Sequence, residues 1–330
     1  MKTLVTGASG FIGSAVVRKL LARNRQVRCF VEPGAALDNL AGLEVEIVRG
    51  DINDREAVAR ALKGCDTLFH LAAIYAIWLR DPAQMYRVNV EGSKTVLWAA
   101  FKANLDKVVY TSSIAAVGHH PDGTPANEQD QFSDEDWHVG NSYVRSKWLS
   151  ESDALRFASE GLPLVVVNPS FPFGERDRAP TPTGGFIVAA LRGQVPGCID
   201  AGFSVIDVDD VAEGHVLALE QGRVGERYIL TNHNLTYRDF YKTVAKVAEQ
   251  KVPLRKIPAW LAPSMGWAVE RLYVDVLHKP PIATYSAARY AARTHFFDNE
   301  KARRELGLPT TPVEVTIEKS VRWFRENGYA

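Results

Sequence analysis

Six short apolar runs alternate with stretches of helical spacing through the first half of the chain, and that alternation limits the folds open to it. The runs are KTLVT (2–6), QVRCFV (26–31), VEIVRGD (45–51), TLFHLAA (67–73), KVVYTSS (107–113) and LPLVVVNP (162–169). Between them, residues 11–24, 54–63, 82–103 and 142–160 carry apolar side chains at helical spacing, as in Ile12, Ala15, Val16 and Leu20. Strand alternating with helix predicts an α/β fold, a parallel sheet with helices on both faces. The unbroken apolar content of LPLVVV predicts a strand buried on both sides. After residue 170 the pattern loosens. Proline and glycine cluster in NPSFPFGERDRAPTPTGG, and helical stretches follow near 209–221, 236–249, 260–278 and 313–327.

Three glycines, Gly7, Gly10 and Gly13, stand at intervals of three where the first strand gives way to the first helix. A phosphate-bearing cofactor needs backbone N–H groups at a helix N-terminus and no side chain in the way. The bland alternative is a tight turn with close helix packing. The position, at the first strand–helix junction of an alternating chain, favours a dinucleotide site.

A second constellation is YVRSK. Tyr143 and Lys147 are four apart on one helix face. A nearby ammonium favours the phenolate and makes a tyrosine useful as an acid or base. KVVYTSS places Ser113 just past the carboxyl end of a parallel strand, where such sheets bind ligands.

Composition excludes several classes. Lys and Arg number 39, as do Asp and Glu, so no basic excess points to nucleic acid. Cys29, Cys65 and Cys198 are far apart and form no ligand cluster, which predicts a reducing compartment and no structural metal. No apolar stretch has the length of a signal peptide or a membrane span, so a cytoplasmic protein is expected.

With these residues the chain resembles an extended short-chain dehydrogenase/reductase of the NAD-dependent epimerase/dehydratase family. The resemblance rests on TGASGFIG, GDI (50–52), HLAA (70–73), NVEGS (89–93), TSSIAAVG (111–118), YVRSK (143–147), NPSFPFG (168–174) and IDVDDVAEGH (206–215). It implies a Rossmann doubly wound sheet over 1–170, rejoined by 203–225. A smaller, mostly helical substrate domain is implied over 171–202 and 226–330. It implies Tyr143 as the acid/base, Lys147 as the partner that lowers its pKa and holds the ribose, and Ser113 as the hydroxyl that positions the substrate oxygen. The cofactor is expected against Gly7, Ser9, Gly10, Phe11, Ile12 and Gly13, against Asp51 and Ile52 at the adenine, and along Leu71, Ala72 and Ala73. Asn89 is expected to support the proton network, and Pro169 and Ser170 to meet the nicotinamide amide.

The second strand ends in Glu32. An acidic residue there takes ribose hydroxyls, whereas an arginine accepts the extra phosphate of NADP. NAD is therefore expected over NADP, with Arg28 and Arg49 near enough in sequence to matter.

Departures from sister groups narrow the chemistry. Nucleotide-sugar epimerases of this type carry an arginine just before the HVDD motif. Here AGFSVIDVDD (201–210) has none, and Asp207 replaces the histidine. A diphosphate lacks its cation. Dehydratases place an acidic pair after the catalytic hydroxyl, where this chain has Ile114 and Ala115. Both absences point to simple hydride transfer.

IPAWLAPSMGWAVERLYVDVLHKPP (257–281) reads either as a capping amphipathic helix or as an apolar lid touching a membrane. It is similar to the corresponding helix of the 3β-hydroxysteroid dehydrogenases, including the sterol-4-carboxylate dehydrogenases. Residues 296–329 also resemble the hopanoid-associated sugar epimerases. Tyr75, Trp78, Phe171 and Phe173 are expected to line the substrate cleft. The expected activity is an NAD-dependent dehydrogenase for a lipophilic substrate, a 3β-hydroxysteroid or sterol, decarboxylating where a 4-carboxylate is present and held by Arg80, Arg87, Arg176 or Arg178. Alternatives are an epimerase of a lipid-linked sugar, a dihydroflavonol-reductase-like ketone or aldehyde reductase, and a non-catalytic cofactor sensor. The resemblance implies a homodimer through the helices at 82–103 and 142–160.

Overall fold

The computed structural model describes residues 1–330. The first half keeps the alternation: β1 (Lys2–Thr6), α1 (Phe11–Ala22), β2 (Gln26–Val31), β3 (Glu46–Arg49), α2 (Arg55–Leu62), β4 (Thr67–His70), α3 (Ala83–Tyr86), α4 (Ser93–Ala103), β5 (Lys107–Thr111), α5 (Asp134–Val139), α6 (Ser142–Ser159) and β6 (Leu164–Pro169). A π-helical stretch, Arg87–Gly92, joins α3 to α4. The second half adds β7 (Phe171–Phe173), α7 (Gly184–Leu191), β8 (Cys198–Ile199), β9 (Gly202–Asp207), α8 (Val208–Gln221), β10 (Arg227–Leu230), β11 (His233–Thr236), α9 (Tyr237–Val247), β12 (Lys256–Ile257), α10 (Ala262–Arg271), α11 (Tyr285–Ala291), α12 (Glu300–Leu306) and α13 (Val313–Glu326).

Seven strands form one parallel sheet in the order β10-β6-β5-β4-β1-β2-β3. The winding reverses between β1 and β4, and ligands of such sheets bind in the crevice outside that point. Side-chain alternation builds a core on each face. Val5, Phe69, Val109, Val165 and Val167 pack under α1, α8 and α12. Leu4, Leu68, Val108, Leu164 and Val166 pack under α2, α4 and α6. The LPLVVV run is thus apolar throughout because each of its two faces meets a helical layer.

The boundary expected at residue 226 falls one strand early. Arg227–Leu230 pairs with β6 from Arg227↔Val166 to Leu230↔Pro169, so it is the edge strand of the main sheet. Within 203–225, β9 joins a separate sheet, β11-β9-β7, while Ile206 at its end and the whole of α8 pack back on the main layer. Around β9 lies a third core. Phe203 is fully buried there, with ring centroids 4.8 Å from Tyr237 and 5.2 Å from both Phe171 and Phe240. No helix is long and apolar enough to cross a membrane.

Three fully enclosed histidines set an acid limit on the fold. Burial pushes His70 down to about 3 and His215 and His295 down to about 4. Unfolded, each takes a proton near pH 6.5. The unfolded chain therefore binds more protons as pH falls below that value, and stability falls with it. Asp177, raised to about 6 by burial, opposes, as do Glu128 and Asp207, which burial also raises. The melting temperature is expected to decline steadily from pH 7 to pH 5 in calorimetry; a flat profile contradicts neutral, buried histidines.

Candidate active site

The turn after β1 is built for close approach. Gly7 adopts a φ of +67°, and a Cβ there would lie 2.8 Å from the Ala72 nitrogen. A Cβ on Gly13 would lie 2.1 Å from the Gly7 carbonyl oxygen, and one on Gly10 3.2 Å from it. Gly10 caps α1 with no side chain, and no acidic residue stands in the helix's first turn. The cradle fits a pyrophosphate: small, uncovered, at the positive end of a helix. Asn39 closes one side, its Nδ2 donating to the carbonyls of Ser9 at 3.2 Å and Arg176 at 3.1 Å. Phe11 and Ile12 pack partly into the core under α1.

The rim beyond β2 carries Glu32, which is exposed. Arg49 Nη1 donates to the carbonyls of Glu32 at 3.2 Å and Pro33 at 2.8 Å. Arg28 turns away, to the carbonyls of Ala61 and Lys63 and to Glu46. Asp51 accepts from the Asn53 N–H at 2.8 Å, and Ile52 is buried against Gly92. At the switch point the Leu71 and Ala72 N–H groups each donate to Thr6 Oγ1 at 3.2 Å, while Ala73 is exposed. Asn89 grips the next residue, accepting from the Ile74 N–H at 2.7 Å and donating to its carbonyl at 3.0 Å. It also donates to Ser146 Oγ at 3.0 Å.

Ser113 stands just past β5 and its Oγ accepts the Ala115 N–H at 3.2 Å. The Asn141 side chain caps α6 at the Val144 N–H, fixing the turn that carries Tyr143. Ser113 stands near enough to Tyr143 for its hydroxyl to act on the phenol, favouring the ionised form. The Tyr75 ring lies against Tyr143 at 4.7 Å, and its hydroxyl meets Thr183 Oγ1 at 3.1 Å. Lys147 is buried, its Nζ donating to the Thr111 carbonyl at 2.8 Å.

Two expectations need correction. The Tyr143 phenol is not pulled down by Lys147: burial first, then neighbouring Tyr75, push it above its ordinary value, and only Ser113 acts the other way. Lys147 spends its proton on Thr111, and burial lowers its own pKa to about 8. Phe173 does not line a cleft. It is 1% exposed, 5.0 Å from Phe240 in the third core, because β7 pairs with β9 and turns the face that carries both Phe171 and Phe173 toward Phe203. Phe171 is half-buried, edge-on to Phe203, and Trp78 is half-buried on the segment after Tyr75. Pro169 ends β6, and Ser170 donates through Oγ to Thr231 at 2.9 Å and through its N–H to Leu230. Among the four candidate arginines, Arg87 is paired with Asp81, Arg178 with Asp38 and Arg176 with Glu175, while Arg80 is exposed.

The sequence reading missed two groups. Tyr290, from α11, stacks on His295 at 3.9 Å, and burial together with Tyr75 and Tyr143 raises its phenol. No motif marks it. Glu151 is 3% exposed, held by Asn168 Nδ2 at 2.5 Å and Arg227 at 3.0 Å, and Asn168 also donates to the Ser113 carbonyl at 2.9 Å. Its place four residues after Lys147 was the available signal.

The profile of the NAD dependent epimerase/dehydratase family matches residues 3–231. The chain belongs to the NAD dependent epimerase/dehydratase family. Within it, a Synechocystis sp. protein provisionally assigned as a dihydroflavonol 4-reductase is 37% identical over 98% of this chain and 95% of its own. Sterol demethylase protein B of Methylococcus capsulatus is 33% identical over 99% of each. The crystal structure of gox2253 superposes with a TM-score of 0.88 at 40% identity, over 99% of this chain and 98% of that one.

The Glu151 carboxylate is the charge that raises Lys147 against its desolvation. Glu151→Gln is expected to move the Lys147 titration to lower pH by roughly one unit, read as an acid-ward shift of the pH–rate profile. A lowered melting temperature with an unmoved profile would make Glu151 structural alone.

Proposed function

We propose that this member of the family transfers hydride between NAD and a secondary alcohol or ketone on a bulky, largely apolar substrate, a 3β-hydroxysterol being the favoured class. The observation that carries the reading is the Ser113–Tyr143 pair, with the aromatic ring of Tyr75 against it. Tyr290 shares a small cavity with Ile114 and Val144, the residues that follow Ser113 and Tyr143. β9, where nucleotide-sugar epimerases lead into their motif, is buried throughout and carries no cation. Asp207 is engaged as the cap of α8, with Thr316 at 3.0 Å and Lys319 at 3.1 Å. The Methylococcus relative, a sterol demethylase protein, supports the substrate class.

In this reading the Ser113 hydroxyl donates to the substrate oxygen and fixes its distance from Tyr143. Tyr143 Oη takes the hydroxyl proton as the alcohol becomes a ketone, and returns it in the reverse direction. The raised phenol needs a compensating positive charge, which the nicotinamide ring would supply when the cofactor is bound, while Lys147, one turn along α6, is held by the Thr111 carbonyl. Asn89 holds the segment after β4 so that Tyr75 stays against Tyr143. Gly7, Gly10 and Gly13 take the cofactor's pyrophosphate and Glu32 its ribose; when bound, the nicotinamide supplies the hydride acceptor or donor. A carboxylate at Glu32 repels a 2′-phosphate, which favours NAD. Trp98 and Phe101, exposed on α4, support a homodimer through α4 and α6.

Absorbance at 340 nm, with NAD and 3β-hydroxysterols bearing or lacking a 4-carboxylate, tests the reading. NADH is expected with at least one. Tyr143→Phe should lower kcat by about 10²-fold or more, and Glu32→Arg should shift preference toward NADP. No NADH from any sterol, with NAD retained until denaturation, would replace the reading by epimerisation of a lipid-linked sugar.

A further inference from the structure

We propose that the α10–α11 hairpin docks the protein on the surface of an anionic phospholipid bilayer. More than half of the chain's exposed large apolar side chains fall between residues 260 and 285. Trp260 is 78% exposed, Ile282 69%, Val276 65% and Trp267 55%, with Leu272 and Leu277 beside them. Isolated exposed apolar groups are ordinary; a contiguous cluster marks a surface that meets something.

The packing explains why these groups face out. Along α10 only Ala262 and Gly266 are buried. A Cβ on Gly266 would lie 2.6 Å from both Ala288 Cβ and the Thr284 carbonyl oxygen. The hairpin is therefore closed through its smallest residues, backbone against backbone, and the large apolar residues are left on the outside. That inverts the usual arrangement of a surface helix. The polar groups are satisfied locally: Glu270 accepts the Tyr285 N–H at 2.8 Å, and Arg271 pairs with Asp275 at 2.9 Å.

Charge selects the occupant. From 251 to 289 the chain carries Lys251, Arg255, Arg271, Lys279 and Arg289 against Glu270 and Asp275, Lys256 being paired with Asp200 at 2.8 Å. Both acids are occupied within the hairpin, whereas Lys251, Arg255 and Lys279 are exposed with no acidic partner within 4.0 Å. A second copy of this face would set like charge against like. An anionic headgroup layer neutralises it, while tryptophans settle at the boundary between headgroups and acyl chains. α11 also carries Tyr290 into a small cavity lined by Ile114 and Val144, the residues after Ser113 and Tyr143, so the docked face adjoins the candidate site. That an apolar substrate enters there rests on the proposed activity; the docking itself does not.

The full-length protein is sedimented with vesicles of phosphatidylcholine, with and without phosphatidylglycerol. Binding is expected with phosphatidylglycerol, weakening as salt is added, and brominated acyl chains should quench the tryptophan fluorescence. Trp260→Asp with Trp267→Asp should lower partitioning about ten-fold or more, with NAD binding and melting temperature unchanged. Arg255→Glu with Lys279→Glu should remove the preference for anionic lipid. No wild-type binding to either vesicle overturns the proposal, as does unchanged partitioning of the tryptophan variant. So does a lipid-free assembly that the tryptophan variant dissociates, which would make the face an interface between copies. Sterol turnover in detergent is read separately, so loss of one result leaves the other standing.

Discussion

One hydroxyl holds the two strand ends on which the site depends. Thr6 Oγ1 accepts from the Leu71 and Ala72 N–H groups and meets His70 Nδ1 at 2.7 Å, so the ends of β1 and β4 are tied where the winding reverses. Gly7 follows immediately, and its backbone touches Ala72 so closely that no Cβ fits. Gly13 touches Gly7 in turn. The helix, the turn and the neighbouring strand end are thus one rigid contact, and the pyrophosphate cradle inherits its shape. His70, neutral through burial, passes the restraint to α4 through Ser93 Oγ at 3.0 Å.

The main sheet was legible because its strands announce themselves twice, by apolar content and by the helical spacing between them. KTLVT, QVRCFV and LPLVVV become strands at those places. The edge strand RYIL escaped, being short and flanked by no repeating pattern. The glycine turn was legible because its chemistry is local. The state of Tyr143 was not, because a pKa depends on what encloses the phenol, and Tyr75 and Tyr110 arrive from distant parts of the chain. Phe173 was misplaced for a related reason: residues 168–174 locate a strand but not which of its faces meets a core. In 257–281 the sequence showed an apolar face without showing that the small residues, rather than the large ones, are buried.

Buried charge behind the site follows a consistent rule. Lys147 is desolvated enough to sit near neutrality, yet Glu151 stands one turn away as its counter-charge. Glu151 is itself bound by Arg227 on the edge strand and by Asn168, which holds the Ser113 carbonyl. Removing one member leaves a buried charge uncompensated, a larger cost than any single pair at the surface. The last strand added to the sheet is therefore coupled to the residues at its centre.

The path of the chain between the two layers carries a mechanical consequence. It leaves the main sheet after Pro169, returns for α8 and β10, departs again into β11 and α9, and comes back once more with α12 before α13 packs beside β9. Two lobes stitched together this many times cannot swing apart as a book opens about one spine. Any opening of the cleft must instead bend several of these crossings at once.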